Sequence, residues 1–167
     1  NQLLFLQYVQ NNYFAGEKWY YSLMEDITLS STTYTYYTYN ALTQTYGSVT
    51  GGFYARNLEG CFLGNDFTIT LAVPNSSVSL FSNVTGGTIA DLNILVQSRD
   101  TGYYGLGGSS NYVIAYSANN ATIYDVRLVL DLPDTDLCEL DLYDSSSGLM
   151  FSSISGGTTT FRNCVIK

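Results

Sequence analysis

Histidine is absent from these 167 residues, proline occurs twice, and Lys and Arg together number six. Each scarcity excludes a class of function. Without histidine there is no Ser-His or Cys-His nucleophile pair, and Asp, Glu, Tyr, Lys and Arg are left as candidate acids and bases. Three cysteines, Cys61, Cys138 and Cys164, stand far apart and form no zinc-binding spacing. They read first as buried small hydrophobes, with one disulfide plus a free thiol, or an intermolecular bridge, as the other uses of an odd count. Six bases against fourteen acids leave a net charge of −8 and no basic stripe, so a nucleic acid would be repelled. No apolar run approaches the roughly 20 residues of a membrane-spanning helix. No motif implies a cofactor or a metal.

What the chain does contain is Tyr, Gly, Ser and Thr, with only 12% charged residues. Aromatic and β-branched residues with few helix formers argue for short strands joined by tight turns, and hence for a single all-β domain. Three sequons begin at Asn75, Asn83 and Asn120, and we take these as the glycosylation candidates, Asn75 first because Pro74 marks a turn. With 13 Asn and 36 Ser or Thr in the chain, chance alone yields about three sequons, so their number is no argument for secretion. The chain opens on Asn1 with no signal-like segment, which reads as a processed chain or a piece of a longer one.

A repeat decides the expected fold. Val49-Thr50-Gly51-Gly52, Val84-Thr85-Gly86-Gly87, Ala118-Asn119-Asn120-Ala121 and Ile154-Ser155-Gly156-Gly157 align as turns, their last residues 35, 34 and 36 positions apart. After the second and third turns, Leu92, Ile94 and Val96 and then Val126, Leu128 and Leu130 alternate with other residues as a strand with one buried face requires. After the fourth, Phe161, Cys164 and Ile166 take inward places beside Arg162, while after the first Asn57 and Glu59 fall where apolar residues belong. A side chain that recurs every 35 positions and faces inward stacks on its equivalents, which is the packing of a solenoid. We expect Leu92, Ile94 and Val96 to stack on Val126, Leu128 and Leu130.

Three segments carry a family resemblance. Trp19 to Leu29 places aromatics and a Leu before Asp26-Ile27; Leu58 to Leu71 has Gly60, Phe62, a Gly64-Asn65 turn and a Thr68-Ile69 strand; Val78 to Leu92 has Ser79 and Ser82 flanking Leu80-Phe81. Residues 19 to 167 thereby resemble pectin-lyase-like right-handed parallel β-helices with GLUG-type repeats, although Ser79 and Ser82 stand where that family has glycines. The resemblance implies a right-handed parallel β-helix of about 35 residues per coil and says little about activity. Residues 1–18, with Leu3, Leu4, Leu6 and Val9, read as an N-terminal cap or edge segment, and 19–167 as the β-helix repeats.

Three constellations bear on function. Arg56, Asp91 and Asp125 each fall four positions after an aligned turn, so successive coils would stack them about 4.8 Å apart, as a carboxylate site or as a solvated ladder. The run Asp131, Asp134, Asp136, Glu139, Asp141 and Asp144 is rich in hard oxygen ligands but matches no EF-hand loop, and interleaved leucines make it an outward polar face. Between Thr32 and Tyr46, Thr alternates with Tyr up to a turn at Gly47, and Tyr34, Tyr36, Tyr37 and Tyr39 are the candidate binding residues, for sugar rings or a protein partner. No residue is assigned a catalytic role. The expectation is a non-enzymatic structural or adhesive module, extracellular or at the cell surface, that associates with copies of itself through the solenoid ends into filaments. The competing reading is a carbohydrate-active enzyme, a lyase or glycosidase, or a carbohydrate-binding module.

Overall fold

The computed structural model describes residues 18, 20–29, 33–52, 56–72, 79–97, 112–131 and 150–167, with 33–39, 49–52 and 56 described at the backbone only. Among them the first strands are β1 (Tyr20–Ser22) and β2 (Ile27–Leu29), followed by β3 (Thr33–Asn40) and β4 (Thr45–Gly52). Next come β5 (Arg56–Leu58), β6 (Cys61–Leu63) and β7 (Thr68–Leu71), then β8 (Phe81–Thr85) and β9 (Thr88–Gln97). The chain continues with β10 (Ala115–Asn119) and β11 (Thr122–Asp131) and ends in β12 (Phe151–Ile154), β13 (Thr160–Arg162) and β14 (Val165–Ile166). No helix occurs among the described residues, and the protein is all-β as its composition requires.

Outside the β3–β4 pair, every strand pairing among the described residues is parallel. A small sheet runs β12-β10-β8-β5, and a large sheet runs β1-β6-β9-β11-β13, with β14 beside β11, β7 beside β9 and β2 beside β7. Parallel neighbours need a long connection between them. From β5 onward each pass lays one strand in the small sheet and then one or two in the large sheet.

The expected register is present. Val126 pairs with Leu92, Leu128 with Ile94 and Leu130 with Val96, a constant offset of 34. The turns align as well, since Ala118 pairs with Val84 on one side and Ile154 on the other. Equivalent side chains form columns through successive strands: Tyr21, Phe62, Ile89, Ile123 and Phe161 in one, and Ile27, Ile69, Ile94, Leu128 and Ile166 in another. Central members of both columns are fully buried and belong to one hydrophobic core with the small sheet's Leu58, Val84 and Ala118. Each buried Leu, Ile or Phe contributes about 1.5–3 kcal/mol, which makes the columns the main source of stability. The Phe62 and Phe81 rings meet edge to face across this core, their centroids 5.5 Å apart.

Two expectations are corrected. Val49-Thr50-Gly51-Gly52 is not a turn of the repeat: it lies in β4, paired antiparallel with β3 so that Tyr36 faces Val49 and Thr33 faces Gly52. The true equivalent of Val84 is Leu58, which is fully buried while Asn57 and Glu59 beside it are exposed. A four-residue Val-Thr-Gly-Gly match holds too little information to outweigh a neighbouring strand that pairs with it locally. Nor does the hairpin turn at Gly47, which pairs with Thr38 inside the strands. The chain reverses at residues 41–44, where the Asn40 side-chain oxygen accepts a hydrogen bond from the Leu42 amide at 3.0 Å and Gln44 takes φ 55°. An Asx turn of this kind outcompetes a glycine that has no such side chain.

Candidate functional site

Asp91 and Asp125 fall side by side in adjacent strands, but not as a triad with Arg56. Arg56 pairs with Phe81 in the small sheet, whereas Asp91 and Asp125 lie in β9 and β11 of the large one. The third member of their row is Asn163. All three take left-handed backbone, with φ 51° at Asp91, 53° at Asp125 and 53° at Asn163. In the preceding pass Asn65 and Asp66 do the same at φ 51° and 60°. A single left-handed residue in an extended run turns the strand, and Asn and Asp tolerate this conformation better than other side-chain-bearing residues. The row is therefore a corner dividing the large sheet into two leaves.

Hydrogen bonds tie the corner from strand to strand. Asn163 Nδ2 donates to Asp125 Oδ1 at 2.9 Å, the Asp66 amide donates to the Asp91 carbonyl at 2.8 Å, and Asn65 Nδ2 donates to the Leu23 carbonyl at 2.8 Å. Asp26 adds a carboxylate oxygen that accepts from the Thr68 amide at 2.7 Å. These bonds account for the Asp125 and Asp26 carboxylates as structural groups. Replacing Asp125 by Val, which is β-branched and disfavours this backbone, is expected to cost about 1–2 kcal/mol. Asp125→Gly, free at φ 53°, is expected to stay within about 1 kcal/mol of the parent despite losing the Asn163 bond. Urea denaturation of both variants checks this, and an equal loss in each would mean that the carboxylate matters more than the conformation.

A second polar row, not anticipated from the sequence, crosses the small sheet. Asn57 Oδ1 accepts from Ser82 Oγ at 2.8 Å and from Asn83 Nδ2 at 2.9 Å, and Asn83 Oδ1 accepts from Ser117 Oγ at 2.7 Å. Ser153 pairs with Ser117 in the next strand. The sequence carries a signal for this row in Asn or Ser at 83, 117 and 153, spaced like the turns.

Of the sequon asparagines, Asn83 thus has its amide nitrogen, the atom a glycan would substitute, engaged by Asn57. Asn120 is exposed at φ 50° in the turn between the sheets, and its Oδ1 accepts from the Thr158 amide at 3.1 Å. Its side chain occupies the space where a Cβ on Gly157 would go, which is why that turn carries glycine. Asn75 lies outside the described residues.

Tyr34, Tyr36, Tyr37 and Tyr39 are on β3, opposite Gly51, Val49, Ser48 and Tyr46 of β4. The two strands pair only with each other among the described residues, and the hairpin's tip is open, with Leu42 96% and Tyr46 77% exposed. Of the acidic run, Asp131 is exposed and accepts from Gln97 Nε2 at 3.1 Å, while Asp134 to Asp144 lie outside the described residues, as do Leu3, Leu4, Leu6, Val9 and Cys138. Among the described residues no three of His, Cys, Asp and Glu gather where they could hold a metal ion. Cys61 and Cys164 are free thiols. Burial pushes the Cys61 thiol up from its ordinary value, and Cys164 Sγ faces the Ile123 carbonyl at 3.6 Å. No helix among the described residues is long and apolar enough to cross a membrane.

No family model matches the chain, and no curated protein or solved structure resembles it at a significant level.

Proposed function

We propose that this protein is a structural or adhesive module, extracellular or at the cell surface, built as a right-handed parallel β-helix with GLUG-type repeats of about 35 residues and able to extend end to end. The observation that carries the reading is the pair of side-chain columns that continue in register through five successive strands each. Such an architecture grows by adding equivalent units, because each unit needs a neighbour to cover its apolar face. A structural role for Asp91 and Asp125 is supported by their left-handed backbone at φ 51° and 53° and by the hydrogen bond that the Asp125 carboxylate accepts from Asn163. The tyrosine hairpin supplies the adhesive element, since aromatic rings give contact area to sugars or proteins at low entropic cost.

Incubation with a panel of neutral and acidic polysaccharides tests the proposal. Retention on one of them without product, reduced when Tyr34, Tyr36, Tyr37 and Tyr39 are all replaced by Ser, is the expected outcome. Turnover that disappears in the Asp91→Ala, Asp125→Ala double variant would replace this reading with an enzymatic one.

A further inference from the structure

One stretch of this acidic chain carries no charge. Although 12% of the residues are charged, none falls between Asp26 and Arg56. The hairpin of β3 and β4 occupies 33–52 of that stretch, where five residues are Tyr and six are Thr. Each of those side chains carries a hydroxyl that both donates and accepts, and the tyrosines add a ring face.

The backbone register sorts the tyrosines. Directly opposed residues of an antiparallel pair share a face, and neighbours along a strand alternate between faces. Tyr39 is opposite Tyr46 and Tyr37 opposite Ser48, whereas Tyr36 is opposite Val49 and Tyr34 opposite Gly51. Tyr37, Tyr39 and Tyr46 therefore hold contiguous positions on one face, and Tyr34 and Tyr36 belong to the other. Positions 37 and 39 are about 7 Å apart along the strand.

The tip of the hairpin is open and held in shape. Tyr46 is 77% exposed, and Ser48 is exposed beside it. Asn40 Oδ1 accepts from the Leu42 amide at 3.0 Å and from the Thr43 amide at 3.4 Å, and the Thr43 and Thr45 hydroxyls bond each other at 2.8 Å. A surface ordered before binding loses little entropy when a ligand arrives.

These properties select a ligand class. A neutral sugar presents C–H faces that stack on aromatic rings and hydroxyls that donate and accept, the same groups this surface offers in return. A polyanion would find no cation on the hairpin and a net charge of −8 on the chain. A ribbon whose two strands lie about 5 Å apart is too narrow for the roughly 800 Å² that each partner buries in a stable protein interface.

We infer that the face of the hairpin holding Tyr37, Tyr39 and Tyr46 is the binding site for a linear, neutral polysaccharide that runs along the strands. This rests on the adhesive reading above and names its ligand class and the tyrosines that take part.

Native electrophoresis of the intact chain tests the site, in gels cast with hydroxyethylcellulose or dextran as neutral polymers and with polygalacturonate or alginate as acidic ones. Retardation by a neutral polymer and none by the acidic ones is the expected result. Tyr39→Ala and Tyr46→Ala are each expected to weaken the retardation about fivefold, the effect of losing one stacked ring. The Tyr34→Ala, Tyr36→Ala double variant is expected to keep the parental affinity, and all variants the parental circular dichroism spectrum. Retardation by the acidic polymers alone, or a loss in the Tyr34, Tyr36 double variant equal to that in Tyr46→Ala, overturns the inference and leaves the adhesive reading standing. Equal mobility in every gel also overturns it and turns the hairpin toward a protein partner. Shortening of the neutral polymer during incubation with the chain removes the structural or adhesive reading itself.

Discussion

Truncating Leu128 to alanine is expected to destabilise the protein by about 3 kcal/mol, within the range measured for fully buried leucines. The side chain is completely buried and sits in a column between Ile94 on one side and Ile166 on the other. Removing it deletes transfer free energy and leaves a hole between two neighbours that are themselves held by strand pairing and cannot close in. For a chain of this length the loss corresponds to a fall in melting temperature of roughly 10 °C. Ile166 is the control on the same column. It is 46% exposed, so Ile166→Ala is expected to cost about 1 kcal/mol. Thermal and urea denaturation of the two variants gives the comparison directly. Equal costs would mean that the column is not packed in the register described.

The second large effect is expected from Gly64→Ala, at about 3 kcal/mol, the upper end for forcing a methyl group into a packed site. A Cβ on Gly64 would meet the Asp91 carbonyl oxygen, with the Leu92 Cα at 2.6 Å and the Asp91 carbonyl carbon at 2.9 Å. All of these are backbone atoms of the adjacent strand, so no side chain can rotate away. They also belong to the corner, where the Gly64 amide donates to the Ala90 carbonyl at 2.8 Å. The cost therefore comes from pushing β9 off the preceding pass and not from backbone conformation. Gly47 isolates the other contribution. Nothing lies within 4 Å of a Cβ built there, so Gly47→Ala is expected to be neutral or to stabilise by up to about 1 kcal/mol through the unfolded chain. A Gly64→Ala variant as stable as Gly47→Ala would show that the close approach is relaxed in solution.

Much of the fold was legible in advance at particular places. The alternation in Leu92, Ile94 and Val96 and its copy 34 residues later identified two strands, their buried face and their mutual register. A stacked architecture repeats its chemistry along the chain, so a contact between distant residues leaves a period that can be counted. The first repeat escaped this logic. There the hairpin of β3 and β4 intervenes, and Leu58 reaches its place opposite Val84 through a register shift between Arg56 and Leu58. An irregularity of one residue erases a period without disturbing the packing.

The candidate site was less legible for a related reason. Asp91 and Asp125 were found because they repeat, but spacing alone could not say what the repetition serves. Catalytic pair, solvated ladder and backbone corner all leave the same pattern in the sequence. Asn163 is two residues late by the same count, and it is the parallel pairing of β13 and β14 with β11 that places it beside Asp125.

Composition and periodicity by themselves determined that this protein is all-β, that it has no histidine-dependent chemistry, and that the strands around Ile94 and Leu128 share a buried face, because those properties depend on residue identity and on distance along the chain. Only the tertiary structure decided that Asp91 and Asp125 turn the backbone and that Asn83 is engaged with Asn57 and Ser117. Those properties depend on backbone dihedrals and on which strands are neighbours, and neither is a function of residue spacing alone.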